Sequence, residues 1–141
     1  MTQDRDATTS TAVLEARRHT NLGAMLHLEA DLAGARAEYN EALAADPTNA
    51  TALNNLGFVT AQEGDLGAAV ELYQSAIRSN PAHATAYANL GNALAGLGDL
   101  SGSLAALRSS LELEPANVIA LDSVAKVYLL AGELVQAERA W

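Results

Sequence analysis

Apolar and small residues recur three and four positions apart along most of the chain, and short breaks rich in Gly, Asp and Pro interrupt them at regular intervals. That spacing places the apolar residues on one face of each of a series of α-helices. The breaks are themselves periodic. Pro47, Pro81 and Pro115 stand 34 residues apart. With each proline at position 32 of a 34-residue unit, the units begin at Ala16, Ala50, Ala84 and Val118.

The columns of this alignment have physical reasons. Position 7 reads Leu22, Leu56, Leu90 and Val124, and position 8 reads Gly23, Gly57, Gly91 and Ala125. Position 17 is Leu32, Leu66, Leu100 and Leu134; position 20 is Ala35, Ala69, Ser103 and Ala137. Position 24 is Tyr39, Tyr73, Leu107 and Trp141, and position 27 is Ala42, Ala76 and Ser110. Small residues at 8, 20 and 27 let two helix backbones approach closely, and large apolar residues at 7, 17, 24 and 28 fill the space around the approach. Gly64, Gly98 and Gly132 at position 15 suit a left-handed helix end. Asp31, Asp65, Asp99 and Glu133 follow, where a carboxylate can cap the next helix. Each proline then marks the end of the second helix of its unit.

From Ala16 to Trp141 these columns resemble the tetratricopeptide repeat (TPR) family. The resemblance implies an all-α, right-handed superhelical solenoid of antiparallel helix hairpins, about three and a half repeats long. The expected organisation is a flexible leader over residues 1–11 and a repeat domain over 12–141, with units 16–49, 50–83, 84–117 and a partial unit 118–141. The first helix is expected to start near Thr11, and the last outer helix to run from Leu134 to Trp141. Because that unit stops at position 24, either the natural protein continues or another chain covers Val124, Tyr128 and Trp141. Three residues depart from the pattern: polar His19 at position 4, polar Thr60 at position 11, and Ala30 in place of the turn glycine. Looser packing is expected near His19 and Thr60.

Composition narrows the function. Half the residues are hydrophobic but only 4% are aromatic, which suits a thin, continuous core between closely spaced helices. The net charge of −9, with a single lysine, excludes the clustered cations that nucleic acid or an anionic membrane surface requires. No cysteine is present, so disulfides and thiolate chemistry are excluded. The first eleven residues lack the apolar core of a secretory signal, and a cytoplasmic location is the default expectation. His19 and His27 stand eight apart, not at the four-residue spacing of paired metal ligands, and His83 lies in a turn. The glycines at positions 8 and 15 follow the period and need no phosphate to explain them. No catalytic site, metal or cofactor is expected.

One row is in step with the period without being required by it. Position 6 carries Asn21, Asn55 and Asn89, then Ser123. In the TPR architecture the first helix of each pair lines the concave groove, with positions 2, 5, 6, 9, 12 and 13 facing it. Asparagine is a poor helix former, and its amide offers both donor and acceptor. Such a row can pair with the backbone of an extended peptide, or it can bond between neighbouring inner helices. Asn54, Asn92 and Gln62 add further amides, Phe58 a bare aromatic, and Lys126 one of the few charges. The candidate peptide-binding set is thus Asn21, Asn55, Asn89, Ser123, Asn54, Phe58, Asn92 and Lys126. Replacing Asn55 and Asn89 by alanine is expected to lower partner affinity while leaving unfolding nearly unchanged.

The repeated Asn-Leu-Gly motif (Asn21–Gly23, Asn55–Gly57, Asn89–Gly91) is similar to the repeats of protein O-linked N-acetylglucosamine transferases, whose inner asparagines hold substrate polypeptide. Family members that grip the acidic tails of heat-shock chaperones use Lys, Asn, Asn, Lys and Arg on successive inner helices. The matching residues here are Thr20, Ala24, Asn55, Thr85 and Asn89, or one repeat along Asn54, Phe58, Asn89, Ile119 and Ser123; both registers lack the cations. The resulting expectation is a non-catalytic protein- or peptide-binding scaffold. Two alternatives stand beside it: the substrate-recruiting segment of a larger enzyme such as a glycosyltransferase, and a self-assembling module joined through its C-terminal edge.

Overall fold

A computed structural model describes the backbone of residues 2–140 and the side chains of residues 7–135, 138 and 139. Among the described residues there are seven helices and no strand: α1 (Thr2–Leu28), α2 (Leu32–Ala45), α3 (Ala50–Gln62), α4 (Leu66–Ser79), α5 (Ala84–Gly96), α6 (Leu100–Leu113) and α7 (Val118–Ala140). Trp141 and the side chain of Ala137, which complete the columns of the fourth unit, lie outside them. Helices α1 and α2, α3 and α4, and α5 and α6 form hairpins, and each hairpin stacks on the next. The backbones of odd-numbered helices approach those of their odd neighbours closely, whereas the backbones of even-numbered helices stand further apart. The odd helices therefore form the inner layer of a curved, all-α solenoid.

The hairpins close where the glycine column meets the large column. A Cβ on Gly57 would stand 2.7 Å from the Tyr73 ring, and one on Gly91 would stand 2.6 Å from Leu107. Tyr73 and Leu107 are buried, and each also joins the following inner helix: Tyr73 clusters with Leu90 and Ala93, Leu107 with Ala120 and Val127. Where serine replaces alanine in the small columns its hydroxyl finds a backbone partner. Ser103 Oγ donates to Gly91 O (2.6 Å) and Ser110 Oγ to Ala84 O (2.8 Å).

The first three turns follow the expected chemistry. Gly64 and Gly98 adopt φ of +95° and +87°, and Ala30 adopts the same left-handed conformation at +64° despite its Cβ. The carboxylates of Asp31, Asp65 and Asp99 accept the N–H groups of Gly34 (2.9 Å), Ala68 (3.1 Å) and Gly102 (2.9 Å). A second set of caps starts the inner helices: Asn49 accepts from Ala52 N–H, His83 Nδ1 from Ala86 N–H and Asn117 from Ala120 N–H.

Both ends differ from expectation. Helix α1 begins at Thr2 and not near Thr11; no Pro or Gly interrupts residues 2–22, and Thr11 Oγ1 returns a hydrogen bond to Ala7 O along the helix. Helix α7 runs straight through Gly132, so the expected final turn and separate outer helix at Leu134 are not formed. Glu133 stands where the other units have aspartate, and its longer side chain is a poor N-cap. Without a cap to reward the turn, the helical hydrogen bonds continue. The expected loose packing is also replaced by pairing. His19 Nδ1 meets Glu38 Oε2 at 2.6 Å. Thr60 Oγ1 bonds Leu56 O and receives Arg36, which itself pairs with Glu63 at 2.7 Å.

Gly91→Ala is expected to destabilise the fold by about 1–3 kcal/mol, because Leu107 is fully enclosed and cannot yield. Gly67→Ala, whose Cβ meets nothing nearer than 3.9 Å, should be neutral or stabilising by up to ~1 kcal/mol. Thermal unfolding of the two variants checks the contrast.

Candidate functional site: the inner groove

The period brings the inner-helix polar residues together one junction at a time. Between α1 and α3, His27 Nε2 lies 2.6 Å from Gln62 Oε1. Between α3 and α5, buried Asn89 donates from Nδ2 to Asn54 Oδ1 at 3.0 Å, and Asn54 Nδ2 reaches Asn55 Oδ1 at 3.4 Å. Between α5 and α7, Ser123 Oγ donates to Asn92 Oδ1 and also lies 2.6 Å from Ile119 O. Each pair of adjacent inner helices is thus joined by a side-chain hydrogen bond on the groove side. Burial raises the Tyr39 and Tyr73 hydroxyls above their ordinary range, and for Tyr39 the neighbouring Asn55 side chain partly offsets that rise.

The position-6 row therefore divides. Asn21 is exposed and makes no side-chain hydrogen bond among the described residues. Asn55 is half-buried, while Asn89 and Ser123 are buried within the junctions. Asn54 is buried beside Asn89, whereas Asn92 keeps an exposed amide. Lys126 is exposed and paired with Asp122 at 2.6 Å. Because Asn89 supports the α3–α5 junction, removing it disturbs packing as well as the groove, contrary to the expectation of unchanged unfolding.

Phe58 stands at the centre of the inner face, 41% exposed. Its ring lies 5.3 Å from that of His27 in a tilted arrangement. A cavity of about 370 Å³ opens on one side, lined by Ala24, His27, Leu28, Tyr39, Asn55 and Phe58. A smaller one of about 120 Å³ opens on the other, where Tyr73, Asn89 and Asn92 line it with Phe58. Each cavity pairs an apolar wall with an amide. Among the groove positions the only acid is Asp122, although the chain has 17 acidic residues. No group of three or more His, Cys, Asp or Glu among the described residues could hold a metal, and no helix among them is long and apolar enough to cross a membrane.

Sequence reading missed the second set of caps and the junction pairs. Asn49, His83 and Asn117 form a column at position 34 that a search for polar residues before each inner helix would have found. The pairs Asn54–Asn89 and Asn92–Ser123 join different columns, and only the helix spacing brings them into reach.

Asn54→Ala leaves the buried Asn89 amide without its partner and should cost about 1–3 kcal/mol, whereas Asn21→Ala should cost under ~0.5 kcal/mol; chemical denaturation separates them. His83 offers a pH test. Burial lowers its pKa from 6.5, and its Nδ1 must be unprotonated to accept Ala86 N–H. The unfolded chain then binds the proton more tightly, so this stability is complete above 6.5 and is lost as pH falls through the lower folded value. His83→Asn, which keeps a cap without titrating, should gain stability relative to the wild type as the pH drops from about 7 to about 5. Melting curves of both proteins across that range check the trend.

Profiles described as TPR repeat match residues 23–64 and 60–98, and one described as Tetratricopeptide repeat matches residues 84–117. Among solved structures, the chain is similar to the first TPR of Spaghetti (RPAP3) bound to HSP90 peptide SRMEEVD, with a TM-score of 0.79 at 22% identity over 85% of this chain and 95% of that one. The Arabidopsis OM64 TPR domain gives 0.78 at 20% identity, over 83% of this chain and 97% of that one. MamA gives 0.74 at 23% identity, over 83% and 68%. No curated protein matches the chain. With matched segments unbroken from residue 23 to residue 117, and with turns, caps and close approaches recurring on the 34-residue period, the chain belongs to the tetratricopeptide repeat family.

Proposed function

We propose that this protein is a non-catalytic protein- or peptide-binding scaffold whose inner groove takes an extended, weakly charged segment. TPR domains are in general non-catalytic interaction modules, and a similar fold is seen bound to an HSP90 peptide. The observation that carries the reading is exposed Phe58 between two cavities, each combining apolar wall with amide. An extended segment alternates its side chains, so one side chain can enter a cavity while the neighbouring backbone meets Asn55 or Asn92. The side-chain bonds between inner helices hold the groove before anything binds, which limits the entropy lost on association.

Charge sets the preference. The peptide in the HSP90-bound relative, SRMEEVD, is acidic at its end. In this chain the residues matching the chaperone-tail clamp are Thr20, Ala24, Asn55, Thr85 and Asn89, and none is a cation. A neutral groove in an acidic protein favours a neutral or mildly basic segment over an acidic tail.

Selection of binders from a random peptide library, followed by calorimetry on the wild type and Phe58→Ala, tests the reading. Enriched peptides should carry a large apolar residue and no acidic terminus. Phe58→Ala should weaken them about tenfold or more with little change in melting temperature, because Phe58 is well exposed. Equal binding by the variant, or enrichment of acidic C-termini, would exclude this groove as the site.

A further inference from the structure

Gly132 and Glu133 occupy the places where Gly64–Asp65 and Gly98–Asp99 make turns, yet α7 passes through them as one helix. Beside it lies an open slot of about 300 Å³, walled by Leu104 and Leu111 of α6 and by Val124 and Tyr128 of α7, with Arg108 and Glu112 also in its lining. In the preceding units the corresponding place is filled by position 23 of the outer helix. Leu72 of α4 packs in one cluster with Leu43 and Leu53, and Ala106 of α6 packs in one with Ile77 and Leu90.

The far half of α7 carries outer-helix sequence. Leu134 belongs to the column of Leu32, Leu66 and Leu100, and it is 57% exposed beside Val135 at 48%. A helix rising about 1.5 Å per residue carries Leu134 roughly 15 Å beyond Val124, so a straight α7 cannot cover its own slot. Folding back would require a left-handed residue at 132 and a cap at 133 that glutamate supplies poorly.

We propose that residues 134–140 of α7 from a second copy of this chain fill the slot, with the two α7 helices crossing antiparallel about a twofold axis near Gly132. The antiparallel crossing repeats between two chains the helix pairing that each hairpin makes within one. Exchange of an identical element is a low-cost route to a dimer. Charge is complementary: the entering segment brings Glu138 and Arg139 to a slot lined by Arg108 and Glu112, and none of the four forms an ion pair among the described residues. Exchange also removes exposed apolar surface from both partners, since Tyr128 is 63% exposed and Leu134 57%.

The absence of cysteine makes the test clean. The full chain carrying Tyr128→Cys and Leu134→Cys is oxidised and run without reductant, beside a Leu14→Cys and Leu28→Cys control at exposed sites, of which Leu28 is the more open. A covalent dimer from the first pair alone is the expected result. A disulfide within one chain would mean that the tail folds back on itself, and unreacted monomer would mean that the slot stays open; either overturns the proposal, as does equal crosslinking of the control. Light scattering of the wild type should show a concentration-dependent dimer. Tyr128→Asp should weaken it at least about tenfold, whereas Gly132→Ala, whose Cβ meets nothing within 4 Å in the straight helix, should retain it. A wild type that is monomeric at high micromolar concentration overturns the proposal.

Discussion

At Gly23, Gly57 and Gly91 the inner helix lies so near its outer partner that a Cβ would stand 2.6 to 2.7 Å from Tyr39, Tyr73 or Leu107. The large side chain fills the hole that the missing Cβ leaves, and this sets the separation of the two helices. The same side chain reaches forward into the next unit: Tyr39 clusters with Leu56 and Val59, Tyr73 with Leu90 and Ala93. One contact thus joins the hairpin internally and carries the stack onward, so the spacing of the inner helices depends on it. Nearest-neighbour coupling of this kind is what a solenoid has in place of a central core.

The spacing determines what the groove can be. Inner helices held at this distance bring Asn89 to Asn54, Ser123 to Asn92 and His27 to Gln62. Residues that look free on separate helices become links between them. A groove linked in this way has a definite shape, and what it leaves open is Phe58 with the cavities on its two sides. Its lining contains one acid, already paired with Lys126, in a chain of net charge −9. The acidic residues therefore lie almost entirely outside the groove.

Polar substitutions in the core columns show how far the pattern can be relaxed. His19 and Thr60 interrupt columns that are otherwise apolar, and each has a partner on a neighbouring element: Glu38 for the first, the Arg36–Glu63 pair for the second. A buried polar group is tolerable when it is hydrogen-bonded. Nothing in the repeat alignment points to these partners, because Glu38 and Arg36 are each the sole residue of their type in their columns and Glu63 recurs only as Glu29. The period reveals what every unit has in common, and the compensations belong to single units.

The sequence by itself determined the helix count through the third hairpin, the glycine and aspartate turns and the close approaches, because each follows from a local rule repeated every 34 residues. Three matters were left to the tertiary structure. It decided which amides of the Asn21–Asn55–Asn89 row are used up in junctions, since hydrogen bonds between columns depend on distances that no single helix contains. It showed Ala30 adopting the left-handed turn without glycine, where the stacked hairpin outweighs the local penalty. And it left α7 straight at Gly132 although the turn glycine is present, because a glycine permits a reversal and only a cap and a packed return helix can stabilise one.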